Sequence, residues 1–180
     1  MKNKDLPLGS LLPGFSNLPG TDGKKYSSSD FQNTPVLVIV FSCNHCPYVR
    51  AYENRIMELQ QNYSKRGVKV VAVNSNDAVN YPQDDFPSMM KRAKDMNFNF
   101  IYLRDENQDV AEAFGATHTP QFFVFDGERK LQYKGKMDDN WEEPSQVKQN
   151  YLREAIEALL DGKKVQIPET YSIGCTIKWK

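Results

Sequence analysis

The 180-residue sequence predicts an α/β fold: a central mixed sheet with helices on both faces, an N-terminal β-hairpin extension and a C-terminal tail. Three observations predict it. Residues 35–42 (PVLVIVFS) form a nearly continuous apolar run rich in β-branched side chains, the pattern of a strand buried on both faces. Residues 68–73 (VKVVAV) form a second such run. Between them Val49, Tyr52, Ile56, Leu59 and Tyr63 recur at spacings of three and four, as on one face of a helix. Strand–helix–strand alternation implies parallel strands joined by crossover helices.

The elements follow in order. Phe15 to Leu18 and Lys24 to Ser27 flank a Pro-Gly-Thr-Asp-Gly turn and predict the hairpin, with a helical turn at 28–31. The first long helix is expected over about 44–65, stopped by Gly67. Residues 74–85 read as a polar loop. Asp85 is placed to cap a helix over 86–96, with Pro87 near its start, where a missing N–H costs little. A short strand is expected at 101–103. A helix capped by Asn107 and ended by Gly115 follows. Residues 121–125 (QFFVF), an Asp126-Gly127 turn and residues 131–134 predict an antiparallel hairpin at the sheet edge. A last helix is expected over 145–160, ended by Gly162. Residues 1–180 are expected to form a single domain, with the hairpin extension over about 1–31 and a docked tail over about 163–180.

Composition excludes several classes. Lys+Arg and Asp+Glu each number 23, so the formal charge is +0, against the basic excess of a dedicated nucleic-acid binder. No apolar run approaches the roughly 20 residues of a membrane helix. The N-terminus lacks the apolar stretch of a secretory signal, so a cytoplasmic location is expected, with no nucleic-acid or membrane partner. In a reducing compartment the three cysteines are not expected to be structural staples.

Cys43 and Cys46 form a C-x-x-C where a buried strand hands over to a helix. Unpaired N–H groups and a partial positive charge at a helix N-terminus favour thiolate over thiol. This context assigns Cys43 as the attacking thiol, with Cys46 one turn inside the helix as the resolving thiol. Asn44 and His45 lie between them and tune the pair. A zinc site would need two more ligands from His45, His118, Cys175 and carboxylates, and no second paired motif supplies them. Downstream, Thr119-Pro120 precedes a strand and is a candidate cis-proline facing the cysteines.

With these motifs the chain resembles the thioredoxin superfamily, through PVLVIVFSCNHCPYVRAYENRI and FGATHTPQFFVFDGERKLQYKG. The extra segment over about 74–105 and the N-terminal hairpin resemble its redoxin branch, which holds peroxiredoxins of the alkyl hydroperoxide reductase and thiol-specific antioxidant type alongside thiol-disulfide oxidoreductases. The Cys-x-x-Cys-Pro centre and the Gly-Cys-Thr-Ile-Lys-Trp-Lys tail at 174–180 resemble a peroxiredoxin-like group within it. The resemblance implies a thioredoxin-like fold and a thiol-disulfide oxidoreductase working through Cys43 and Cys46. Pro120 would face the substrate, and Thr119 would offer it backbone hydrogen bonds. No metal or organic cofactor is implied, and the partner would be a protein or small-molecule disulfide or thiol. The alternative is a peroxiredoxin-like thiol peroxidase acting on hydroperoxides, and a further alternative is a non-catalytic binding module.

Three departures stand out. The buried acid of thioredoxin falls at Leu37, and the Trp before its first cysteine falls at Ser42. A peroxidatic cysteine would align with Cys46, but the expected hydroxyl and proline fall at Cys43 and Ile39. The tail carries Ile173, Ile177 and Trp179, so it is expected to dock. Cys175 within it is read either as a small packing residue or as a second resolving cysteine. His118 is read either as lining the site beside Pro120 or as an exposed loop histidine, and Asp138, Asp139, Glu142 and Glu143 are expected in a solvated loop.

Overall fold

A computed structural model describes residues 4–180. In chain order its elements are β1 (Leu18–Pro19), β2 (Lys25–Tyr26), β3 (Val36–Phe41), α1 (Pro47–Tyr63), β4 (Val68–Asn74), α2 (Phe86–Met96), β5 (Ile101–Arg104), α3 (Asp109–Phe114), β6 (His118–Thr119), β7 (Gln121–Phe125), β8 (Leu131–Gly135), α4 (Tyr151–Leu160) and β9 (Cys175–Thr176). The main sheet has the order β5-β4-β3-β7-β8. Its β3, β4 and β5 run parallel, and β7 and β8 add the expected antiparallel side.

Strand β3 explains the two-sided architecture. All six of its residues are buried. Val36, Val38 and Val40 pack into one core with α1 and α4 residues such as Ile56, Leu59, Leu152 and Ile156. Leu37, Ile39 and Phe41 face the opposite core, with Val110, Ala111 and Phe114 of α3 and with Phe15 and Phe31. Successive side chains of a strand point to opposite faces, so a run of β-branched and aromatic residues fills both layers. Burial of each large side chain contributes about 1.5–3 kcal/mol. Among the described residues no helix is long and apolar enough to cross a membrane.

Neighbouring segments cover the outer strands. Gly20 bridges Leu103 of β5, and the Thr21 N–H donates to the Tyr102 carbonyl at 3.0 Å. On the other side Leu11 bridges Lys130 and Glu169 bridges Lys134.

The helix over 86–96 matches its expected bounds, and Asp85 caps it by accepting the Ser88 N–H at 2.8 Å. Three helix starts differ from expectation. Helix α1 begins at Pro47 rather than Asn44, because a residue before proline is pushed out of the helical region; Cys46 has ψ 125°. Asn107 does not cap α3. The Asp105 carboxylate takes the N–H groups of Val110 and Ala111 instead. The last helix is broken: a 3-10 turn at Pro144–Gln146 precedes α4, whose cap is Asn150. Residues between them are held by Asp139, which accepts the Lys148 N–H and donates its own N–H to the Gln149 carbonyl. The neighbouring Asp138 is not solvated. It is buried and paired with Arg55 at 2.8 Å, and it accepts the Tyr52 hydroxyl at 2.8 Å.

Candidate active site

The cysteine motif leaves the end of β3 as a tight turn. Cys46 is the N-cap of α1, not a residue one turn inside it. Asn44 is the anchor of the turn. Its N–H donates to Asp84 Oδ1 at 2.7 Å, its side-chain amide donates to the Gln83 carbonyl, and its own carbonyl accepts from Arg50. The Tyr102 hydroxyl donates to Asn44 Oδ1 at 2.8 Å.

Thr119 reaches both sulfurs. Cys43 Sγ lies 3.5 Å from the Thr119 hydroxyl, and Cys46 Sγ lies 3.4 Å from the Thr119 carbonyl. The Thr119–Pro120 bond is cis, as expected. The tail brings in a third sulfur: Cys175 Sγ is 2.8 Å from Cys46 Sγ. His118, in β6, is half-buried rather than exposed. Its Nδ1 sits 2.8 Å from the Thr117 hydroxyl, and its backbone pairs with Thr176.

The charge falls on the sulfur that the sequence did not favour. The Cys46 thiol is lowered to about 4, first because the Cys43 thiol donates to it, and further by the Cys175 thiol and the Val49 N–H; burial opposes the shift. Cys43 is pushed up, first by that same bond to Cys46, then by burial and by the carboxylate of Asp84. Cys175 is raised to about 11 by burial and by its bond to Cys46. The Thr119 carbonyl would suit a protonated Cys46, but the donors around that sulfur outnumber it. A thiolate at a helix N-cap, flanked by two protonated thiols, is the resulting arrangement.

Sequence reasoning missed Asp84. This carboxylate is fully buried, and it also accepts the side-chain amides of Asn74 and Asn76. Its Oδ2 lies 2.6 Å from His45 Nδ1. Leu37 is indeed a buried apolar residue in the central strand, so the acid beside the cysteines comes from a loop instead. Arg104, also buried, ties this loop down through the carbonyls of Asn74, Asn76 and Asp84. The density of Asn and Asp over 74–85 was the only sequence signal.

Cys43, His45 and Asp84 place three ligand atoms within 4.8 Å of one another, the one such compact group among the described residues. Two ligands of a tetrahedral metal at about 2.1 Å would stand about 3.4 Å apart. The His45–Asp84 separation is shorter than that, so the pair is spaced to contact each other rather than to share a cation.

The tail closes the site. Strand β9 pairs antiparallel with β6, setting Cys175 opposite Thr119, and the Ile177 N–H donates to the Thr117 carbonyl at 2.9 Å. Ile177 is buried in the core, whereas Trp179 is partly exposed. With the tail in place Cys43 is 2% and Cys46 0% exposed. The Cys46 and Cys175 sulfurs are in bonding reach of each other, but the Cys43 and Cys46 sulfurs are not open to an incoming molecule in this conformation.

A family model described as Redoxin matches residues 7–151. The chain belongs to the redoxin family. The peroxiredoxin Bcp of Escherichia coli K12 is 28% identical over 131 residues, covering 71% of this chain and 78% of its own. A crystal structure of an uncharacterized conserved protein from Geobacillus kaustophilus is 40% identical with a TM-score of 0.89, covering 97% of this chain and 93% of that one. The thioredoxin domain of a Bacteroides vulgatus thiol-disulfide oxidoreductase has a TM-score of 0.61 at 17% identity, over 72% of this chain and 89% of that one, and shares the fold. The fold is thioredoxin-like. Family membership and the paired cysteines make the chain an oxidoreductase.

Proposed function

We propose that this redoxin exchanges disulfides with a protein or small-molecule partner through Cys43 and Cys46, in the cytoplasm and without a metal or organic cofactor. The observation that carries the reading is the placement of Cys46 Sγ at the N-cap of α1, 3.4 Å from the carbonyl of Thr119 before the cis-proline and 2.8 Å from Cys175 Sγ, where neighbouring donors lower its titration. The Cys46 thiolate attacks one sulfur of a substrate disulfide. A Cys46–substrate bond forms, the substrate S–S bond breaks, and the second substrate sulfur leaves as a thiolate. Cys43 then gives up its proton and attacks Cys46 Sγ. The Cys43–Cys46 bond forms and the first substrate sulfur departs, so the substrate is reduced by two electrons and the enzyme is oxidised by two. Attack by Cys46 reverses the roles expected from sequence. Asn44, His45, Thr119 and Pro120 shape the site, and a partner reaches it when the tail strand lifts.

One observation favours a second reading. Cys46 is the position that aligns with a peroxidatic cysteine, and it is the one set at the helix N-cap with its titration lowered. In that reading Cys46 attacks a hydroperoxide oxygen, releasing the alcohol and leaving a sulfenic acid. Cys43 then condenses with it and expels water. Reduction of insulin disulfides with dithiothreitol, run beside hydroperoxide consumption, separates the two. Insulin reduction without peroxide consumption supports disulfide exchange, and the converse selects the peroxidase. Loss of both, with stoichiometric zinc in the purified protein, selects the binding module.

A further inference from the structure

We infer that the segment 174–177 is a tethered substrate strand, seated where an extended disulfide-bearing chain would pair, and that its Cys175 is a third redox cysteine exchanging with Cys46. This rests on the reading that Cys43 and Cys46 exchange disulfides.

Four observations carry it. Strand β9 occupies the free edge of β6, and its register sets Cys175 opposite Thr119, the residue before Pro120. The Cys175 and Cys46 sulfurs stand at 2.8 Å, so bond formation needs almost no movement. The seat is close-fitting: a Cβ on Gly174 would collide with the Thr119 carbonyl and crowd the Pro120 nitrogen, so only glycine permits this approach. The strand is also pinned on both sides. Downstream, Ile177 is buried, and Lys178 exchanges backbone bonds with Asn76 Oδ1 at 2.9 Å, Asp77 N at 2.7 Å and Gln108 Nε2 at 2.9 Å. Upstream, the Thr170 hydroxyl meets Tyr133 and accepts the Lys136 N–H. A merely packed cysteine requires none of this register.

The step is an internal exchange. Cys175 loses its proton and attacks Cys46 Sγ of the Cys43–Cys46 bridge. The Cys46–Cys175 bond forms, the Cys43–Cys46 bond breaks, and Cys43 leaves as a thiolate that takes up the proton. No electrons are gained or lost, so no further oxidant is needed. The disulfide is thereby parked under the tail, with the substrate groove filled. Attack by Cys43 returns it to the working pair and frees the tail for a partner strand.

The test is a disulfide map of the full chain after oxidation with one equivalent of diamide, acid quench, alkylation and proteolysis. Peptides joining Cys46 to Cys175 are expected in amounts comparable with those joining Cys43 to Cys46. Cys43→Ser, or Cys43→Ala if the serine variant does not fold, is expected to lose two thiols per chain through a Cys46–Cys175 bridge. A wild-type map with only Cys43–Cys46, and Cys175 always alkylated, overturns the third-cysteine assignment while leaving disulfide exchange intact. A map with no bridge at all overturns both. Gly174→Val is expected to unseat the strand and raise the rate of Cys46 alkylation by iodoacetamide at least tenfold. An unchanged rate overturns the tethered-strand assignment.

Discussion

The Asn44 backbone N–H donates to the buried carboxylate of Asp84 at 2.7 Å, which fixes the cysteine turn from a loop forty residues downstream. The same carboxylate meets His45 and the amides of Asn74 and Asn76. One residue therefore sets both the shape of the turn and part of its electrostatics.

Asp84→Ala leaves at least three N–H donors without their acceptor. A buried donor left unsatisfied costs about 1–3 kcal/mol, and the network relaxes in part, so a net loss of about 3 kcal/mol is expected. In a chain of this size that is a fall of about 6–12 °C in Tm, read by thermal denaturation. The Cys43 thiol loses the carboxylate that helps to raise it, so its titration moves down. An unchanged Tm would show that the turn holds its shape without Asp84.

The reduced enzyme is expected to keep one thiolate down to about pH 4, visible as ultraviolet thiolate absorbance, and Cys46→Ser to abolish it. The sign follows from the direction of the shift. Cys46 is depressed from an ordinary value of 9.0, so its contribution to stability is full above pH 9.0 and lost as pH falls toward about 4. Cys43 is raised, so its contribution is present below pH 9.0 and is lost at more alkaline pH. If the absorbance midpoint stays near that of a free thiol, the assignment of charge to Cys46 is wrong.

Cys175→Ala removes one thiol donor to Cys46, which serine would only replace with a hydroxyl donor. The Cys46 midpoint is expected to rise toward the ordinary thiol range. The reduced state is then less stabilised, and the reduction potential of the Cys43–Cys46 pair moves to more negative values. Equilibration with glutathione buffers measures it; a shift to more positive values contradicts the donor role.

Arg55→Ala strips the buried Asp138 of its cation and frees the carbonyls of Asn140 and Trp141. Removing one partner of a buried pair costs about 3–5 kcal/mol. Tyr52 still donates to Asp138, which places the expected loss at the lower end. Urea unfolding checks it, and a loss under 1 kcal/mol would show the pair to be effectively solvated.

Local signals made most of the architecture legible. Strand β3 announced two-sided burial through six consecutive apolar residues, and α2 declared its start through Asp85 and Pro87. The start of α1 was misplaced because the helical spacing of its apolar face outweighed the restriction that Pro47 puts on Cys46. The cysteine pair and Thr119-Pro120 were visible as motifs, but the charge on their sulfurs was not. The bond from Cys43 lowers Cys46 most and lies within the motif, but the further lowering by Cys175 and the raising of Cys43 by Asp84 come from distant segments that carry no periodicity. Cys175 showed only that its tail was apolar enough to dock, and its partner sulfur was set by strand register.

The covered sheet borders have a further consequence. Gly20 lies on Leu103 at one border, and Leu11 and Glu169 lie along the other. Unpaired strand borders are templates for self-association into aggregates. Here both are blunted, and β9 covers the ladder of β6 in turn, so under the proposed exchange a polypeptide client would add there by displacing β9. Resistance to clumping and the proposed capture of a client chain would then share one distribution of backbone hydrogen bonds.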